Sequence, residues 1–165
     1  MRYLTLLVFS ALACASVSLH AYTPVGPDGL PSAADFSSSL LPEVNGAISW
    51  KTLAQVEPVK RGSKMVPEFS KAILALDKQT VRICGFMMPL DMTAQQRHFL
   101  LSAVPASCPF CMPAGPEAIV EVMSKGPVTF GFDPIIMSGT LSLLRDDQAG
   151  TLYRMTDAEP IAMPK

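Results

Sequence analysis

The chain has 165 residues, of which 49% are hydrophobic and 16% charged, with a formal net charge of −1. That length suits one domain and an export segment rather than two domains. There is no basic stripe and aromatics make up only 7%, which excludes a nucleic-acid-binding surface.

The N-terminus, "MRYLTLLVFSALACASVSLHAYTP", has one positive residue, Arg2, then an uncharged apolar run from Tyr3 to Ala15. Small residues follow, and "SLHA" offers a cleavage site ending at Ala21. Residues 1–21 therefore read as a secretory signal peptide, with a lipoprotein anchored at Cys14 as the lesser alternative. Cleavage would remove Arg2, His20 and Cys14, leaving twelve of the thirteen Lys and Arg against fourteen Asp and Glu. The expected location is periplasmic or otherwise exported. No later segment is long and uncharged enough to span a bilayer, since "GFDPIIMSGTLSLL" is broken by Asp133 and Pro134, so no retained transmembrane helix is expected.

Residues 22–45 are rich in Pro, Gly and Ser without a sustained period, and read as an extended lead-in to a domain spanning 46–165. In "ISWKTLAQVEPVK" the spacing of Trp50, Leu53 and Val56 allows a short helix or a strand edge, with Trp50 as an anchor to the core. "PEFSKAILALD" predicts a packing helix: Pro67 suits the first turn, and Phe69, Ile73 and Leu76 share one face. Strands follow. "TVRICGFMMPL" alternates, with Gly85 marking a bend. "RHFLLSAV" is a second strand, "EAIVEVM" a third, and "GPVTFGFD" and "PIIMSGTLSLL" a fourth and fifth, the last bent at Gly139. "TLYRMTDAEPI" closes the chain. Short strands bent at glycines, with one packing helix, predict a mainly β fold: a small OB-like barrel of five or six strands, with a β-sandwich as the alternative.

The chemistry-bearing stretch is "SCPFCMPAGP". Cys108 and Cys111 can close a disulfide that shapes a proline-rich loop, as an oxidising compartment favours, with Cys84 a buried small hydrophobe. Behind that stands a second reading, half of a soft-metal site for zinc or copper, completed by Cys84 and His98 as weaker candidates. A thioredoxin-like redox pair is the third reading; it lacks the activating helix, because Pro113, Gly115 and Pro116 follow the second cysteine. His98 reads as bordering a strand, Asp146 and Asp147 as a solvated hairpin turn, and the methionines Met87, Met88, Met92 and Met112 as core filling ahead of a copper site. No catalytic residue and no cofactor-binding motif is found.

From Val81 onward, "VRICGFMMPLD", "HFLLSAVPASCPFCMPAGPEAIVEV", "IIMSGTLSLL" and "LYRM" together resemble an exported bacterial family, domain-of-unknown-function family 3299, over about residues 46–160. Many members carry one cysteine and a run of prolines in the loop where this chain has Cys108 and Cys111. The resemblance implies an OB-like barrel outside the cytoplasm, associated with ABC-type export or metal-handling systems, and it supplies no catalytic residue. Together these readings lead to a non-enzymatic periplasmic accessory domain, with its cysteine loop contacting a periplasmic or membrane-bound protein. A zinc or copper chaperone or sensor is the alternative, and a thiol–disulfide protein the third.

Overall fold

A hairpin and short helices lead into a barrel in the computed structural model, which describes residues 32–106 and 114–163. The expected signal segment, the first part of the lead-in, Cys108 and Cys111 lie outside the described residues.

The lead-in is not extended where it is described. Helix α1, Ala33–Leu40, occupies it, started by a capping box in which Ser32 and Asp35 satisfy each other's backbone N–H groups. The hydrogen bonds from Ser32 hold the Asp35 carboxyl below its ordinary pKa. Ala33, Ala34 and Ser37 are buried. The bias toward Pro, Gly and Ser concealed this helix because its buried face is made of small residues. Helix α2, Trp50–Leu53, is a single turn capped by Ser49.

Strands β1, Val56–Arg61, and β2, Lys64–Phe69, form a hairpin that the sequence reading did not anticipate. Arg61 pairs with Lys64 across Gly62-Ser63, and Gly62 has φ +64°, the requirement of a type II′ turn. The predicted helix over 67–77 is corrected accordingly. Pro67 lies in β2 opposite Pro58, and only Lys71–Leu74 (α3) is helical, capped by the Ser70 hydroxyl. The predicted face survives the change, since Phe69 and Ile73 are buried and Leu76 packs against the core.

Five strands then close a barrel: β3, Thr80–Pro89; β4, Gln95–Ser102; β5, Ile119–Thr129; β6, Ile135–Leu143; and β7, Tyr153–Ile161. Their order is β3-β4-β5-β7-β6, returning to β3, and β5–β7 is the parallel pair. This is the OB-like barrel; closure rules out the sandwich. The predicted fourth strand is the end of β5. Gly126 and Pro127 read as a break, but they sit where β5 skips register against β4, so the missing proline N–H removes no rung. The inward residues include Ile83, Met87, Phe99, Leu101, Val120, Val122, Met137, Leu141 and Met155, all buried.

Closure is concentrated on β3. Its residues 80–85 pair with β6, and 86–89 pair with β4. The hand-over falls at Gly85, where an added Cβ would stand 2.7 Å from the Ser102 carbonyl oxygen and 3.1 Å from the Trp50 ring. The edge of β3 that β4 does not cover is satisfied from the N-terminal side. Ile48 N–H donates to the Arg82 carbonyl at 2.7 Å, and Trp50 Nε1–H donates to the Cys84 carbonyl at 2.8 Å. Trp50 is thus the anchor its composition suggested, buried with its polar atom satisfied.

Gly139 does for β6 what Gly85 does for β3. An added Cβ there would meet the Thr156 carbonyl oxygen at 2.7 Å and the Ala158 Cα at 3.0 Å. The opposing strand bulges, with Asp157 at φ +53°, which shifts the inward positions from Tyr153 and Met155 to Ala158. Tyr153 pins the helices to the barrel: its hydroxyl donates to the Leu53 carbonyl at 2.5 Å, and its ring packs on Phe69 at 5.9 Å.

Two outcomes follow. Gly139→Ala is expected to destabilise by about 1–3 kcal/mol, the usual cost of overpacking against backbone that cannot yield, measured by urea unfolding. Burial raises the Tyr153 phenol pKa above its ordinary value, so the unfolded state ionises first. Stability from this group is therefore complete below about pH 10 and is lost as pH rises toward the raised pKa. Tyr153→Phe should remove that alkaline loss while costing about 1–3 kcal/mol at neutral pH, because the Leu53 carbonyl loses its donor.

Candidate functional site

The cysteine loop leaves the barrel through a closed neck. Ala103 N–H donates to the Ala118 carbonyl at 3.1 Å, fixing where the connection between β4 and β5 departs and returns. On the return, Pro116 and Glu117 enter a 3-10 turn, Pro116–Ala118, and line a cleft of about 330 Å³. Opposite them, the hairpin contributes Val56, Pro58, Val66 and Pro67, and the β6–β7 connection contributes Leu144 and Leu152. Prolines 58 and 67 face each other across the hairpin, giving this wall a stiff apolar surface with few backbone donors. Arg145, Asp146 and Asp147 supply charge at the rim. The Arg145 guanidinium lies over the Phe69 ring at 5.3 Å, and Asp146 meets Lys64 at 3.3 Å in an exposed pair of little energetic weight. Asp146 is the solvated turn residue expected. Asp147 is more than that: its Oδ2 accepts from Ala149 N–H and Thr151 N–H, and its Oδ1 accepts from Arg154 at 3.4 Å.

Asp147 is one end of a polar chain across the outer face of β4, β5 and β7. Arg154 Nε donates to Glu121 Oε2 at 2.6 Å, and Glu121 Oε1 meets His98 Nε2 at 2.8 Å. Glu121 is nearly enclosed, its side chain 15% exposed, while His98 is 51% exposed. The Glu121 hydrogen bond keeps the Arg154 pKa above its ordinary value. A bulge builds this arrangement. Gln96 and Phe99 both point inward, so Arg97 and His98 between them both face outward, at the register shift of β4. The sequence reading placed His98 on a strand without its partners. Glu121 and Arg154 were visible only as polar positions on alternating strands, and the β5–β7 pairing that sets them side by side is long-range.

Cys84 is buried and free, and burial pushes its thiol pKa up, which disfavours the thiolate needed for nucleophilic attack or metal binding. It borders a hollow of about 340 Å³ beside α1 that is also lined by Trp50 and residues 41–49. Of the four candidate ligands, Cys108 and Cys111 lie outside the described residues, and the register holds the other two, Cys84 and His98, apart. Pro89 pairs with Phe99, so the His98 row falls one residue past the end of β3, and Cys84 lies six residues back. At about 3.3 Å per residue that is roughly 20 Å, too far for a shared ion. Among the described residues no group of three His, Cys, Asp or Glu side chains converges to hold a metal. Met87 is core, as expected of it, whereas Met92 is fully exposed. Among the described residues no helix is long and apolar enough to cross a membrane.

Comparison with known proteins adds the family. Residues 38–160 match the family described as a protein of unknown function, DUF3299. No curated protein matches. A crystal structure of a DUF3299 family protein from Pseudomonas aeruginosa PAO1 is similar, at 20% sequence identity and a TM-score of 0.47, over 78% of this chain and 95% of that one. With most of its length inside the family match, barrel and cysteine-loop neck included, the chain belongs to the DUF3299 family.

Proposed function

We propose that this protein is a non-enzymatic accessory domain, exported after loss of residues 1–21, that binds a periplasmic or membrane-bound protein through the cysteine-loop end of its barrel. The observation that carries this reading is the cleft at the foot of the loop. Its apolar walls come from three separate segments, its rim carries both signs of charge, and Met65, 61% exposed, stands at its mouth. A groove with an apolar floor and a charged rim suits a protein segment. Prolines on both sides reduce the ordering entropy lost on docking. In this reading Cys108 and Cys111 form a disulfide that stiffens the proline-rich loop. The second reading makes the same two thiols ligands of zinc or copper, with the protein a metal chaperone or sensor linked to an export system. A thiol–disulfide role is the third.

Four measurements separate these readings. Alkylation and mass spectrometry of the natively exported protein should find Cys108 and Cys111 joined, with Cys84 modified only after denaturation. A photo-crosslinking amino acid at Met65 should yield a discrete adduct with an envelope protein, whereas one at Phe132, 81% exposed at the opposite end of the barrel, should not. Zinc or copper that is removed by a chelator and absent from Cys111→Ala would replace the first reading by the second. Rapid exchange with a dithiol would favour the third, and no adduct at Met65 would remove the docking surface.

A further inference from the structure

We infer that the outer face of β4 and β5 carries a second, soft-cation site, in which His98 and Met123, with Met88 beside them, bind Cu(I) or its analogue Ag(I).

The donors come together through strand register. His98 and Met123 are direct cross-strand partners, which places their Cβ atoms about 4.5–5.5 Å apart on one face. Met88 pairs with Leu100, two residues along β4 from His98. Because Met87 points into the core, Met88 lies on the outer face as a diagonal neighbour of His98, about 7–8 Å away and within reach of a long flexible side chain. Met123 is 46% exposed, so core filling does not account for it.

The imidazole is already oriented. Its Nε2 is held by Glu121 Oε1 at 2.8 Å, so Nδ1 is the nitrogen left for a ligand. A carboxylate on the far nitrogen is the usual support of a metal-binding histidine. Glu121 is itself fixed, because its other oxygen accepts from Arg154 at 2.6 Å and Arg154 reaches Asp147. Both carboxylate oxygens are thus engaged, and the donors that remain are one imidazole and two thioethers, all neutral. That set prefers a soft monovalent ion to zinc or magnesium. The site uses neither Cys108 nor Cys111, so it stands or falls separately from the cysteine-loop reading.

The test uses the mature exported protein, residues 22–165, carrying Cys108→Ser and Cys111→Ser. Anaerobic competition with a Cu(I) chelator should find one ion per chain. Ag(I) titration should shift the methyl signals of Met123 and Met88 and the ring signals of His98. Met123→Leu and His98→Gln should each weaken binding at least tenfold, and Glu121→Gln by about 10–100-fold, the usual effect of losing such a support. Met92→Leu, in the β3–β4 loop, should bind as the parent does. Unchanged circular dichroism will show that each variant folds. The site is overturned if Ag(I) leaves the Met123 and His98 signals unmoved, if His98→Gln binds as tightly as the parent, or if Zn(II) competes with Cu(I) at equal concentration.

Discussion

One strand serves two neighbours, and the barrel closes because of it. β3 gives its first six residues to β6 and its last four to β4. A strand that changes partner in mid-course must bend sharply and leaves one edge bare beyond the hand-over. Glycine at position 85 permits the bend, since backbone and ring atoms already occupy the volume a side chain would need. Ile48 and Trp50 cover the bare edge by donating to two carbonyls that would otherwise be buried without partners. The N-terminal segment is therefore part of how the barrel closes, which explains why Ala33, Ala34, Trp50 and Leu53 belong to the same core as the barrel strands.

The same closure separates the chemistry into an end and a side. The hairpin, the neck of the cysteine loop and the β6–β7 connection gather at one end, where Tyr153 ties α2 to the barrel and Phe69 packs against its ring. The outer side of β4, β5 and β7 carries the chain from His98 to Asp147. Asp147 belongs to both, since it lines the cleft and terminates the chain. Its carboxylate also accepts the backbone donors that shape the β6–β7 turn, so the cleft rim and the outer face are held by one residue.

Local pattern carried much of the fold. Alternation located β3 and the start of β5, the glycines at 85 and 139 marked the two bends, and Trp50 was legible as an anchor because a lone tryptophan is seldom left idle. The failures were also local. Ser32 and Asp35 spell a capping box, and Gly62-Ser63 spells a hairpin turn, yet both lie in stretches whose proline content reads as irregular. Pro67 at the head of an apolar period suggested a helix; in the hairpin it is an edge residue opposite another proline. Gly126-Pro127 suggested a strand break because composition does not reveal that the strand is out of register there and needs no donor.

The sequence by itself determined the fold class, the bending points, the anchor and the family, because each rests on side-chain periodicity or on residues adjacent in the chain. Tertiary structure alone decided which polar residues meet. His98, Glu121, Arg154 and Asp147 are scattered over about a third of the chain, and only the register shift between β4 and β5 and the parallel pairing of β5 with β7 place them in contact. The same register separates Cys84 from His98. Pairing in a closed barrel is set by the shared burial of inward faces from distant segments, and no window of neighbouring residues contains that information.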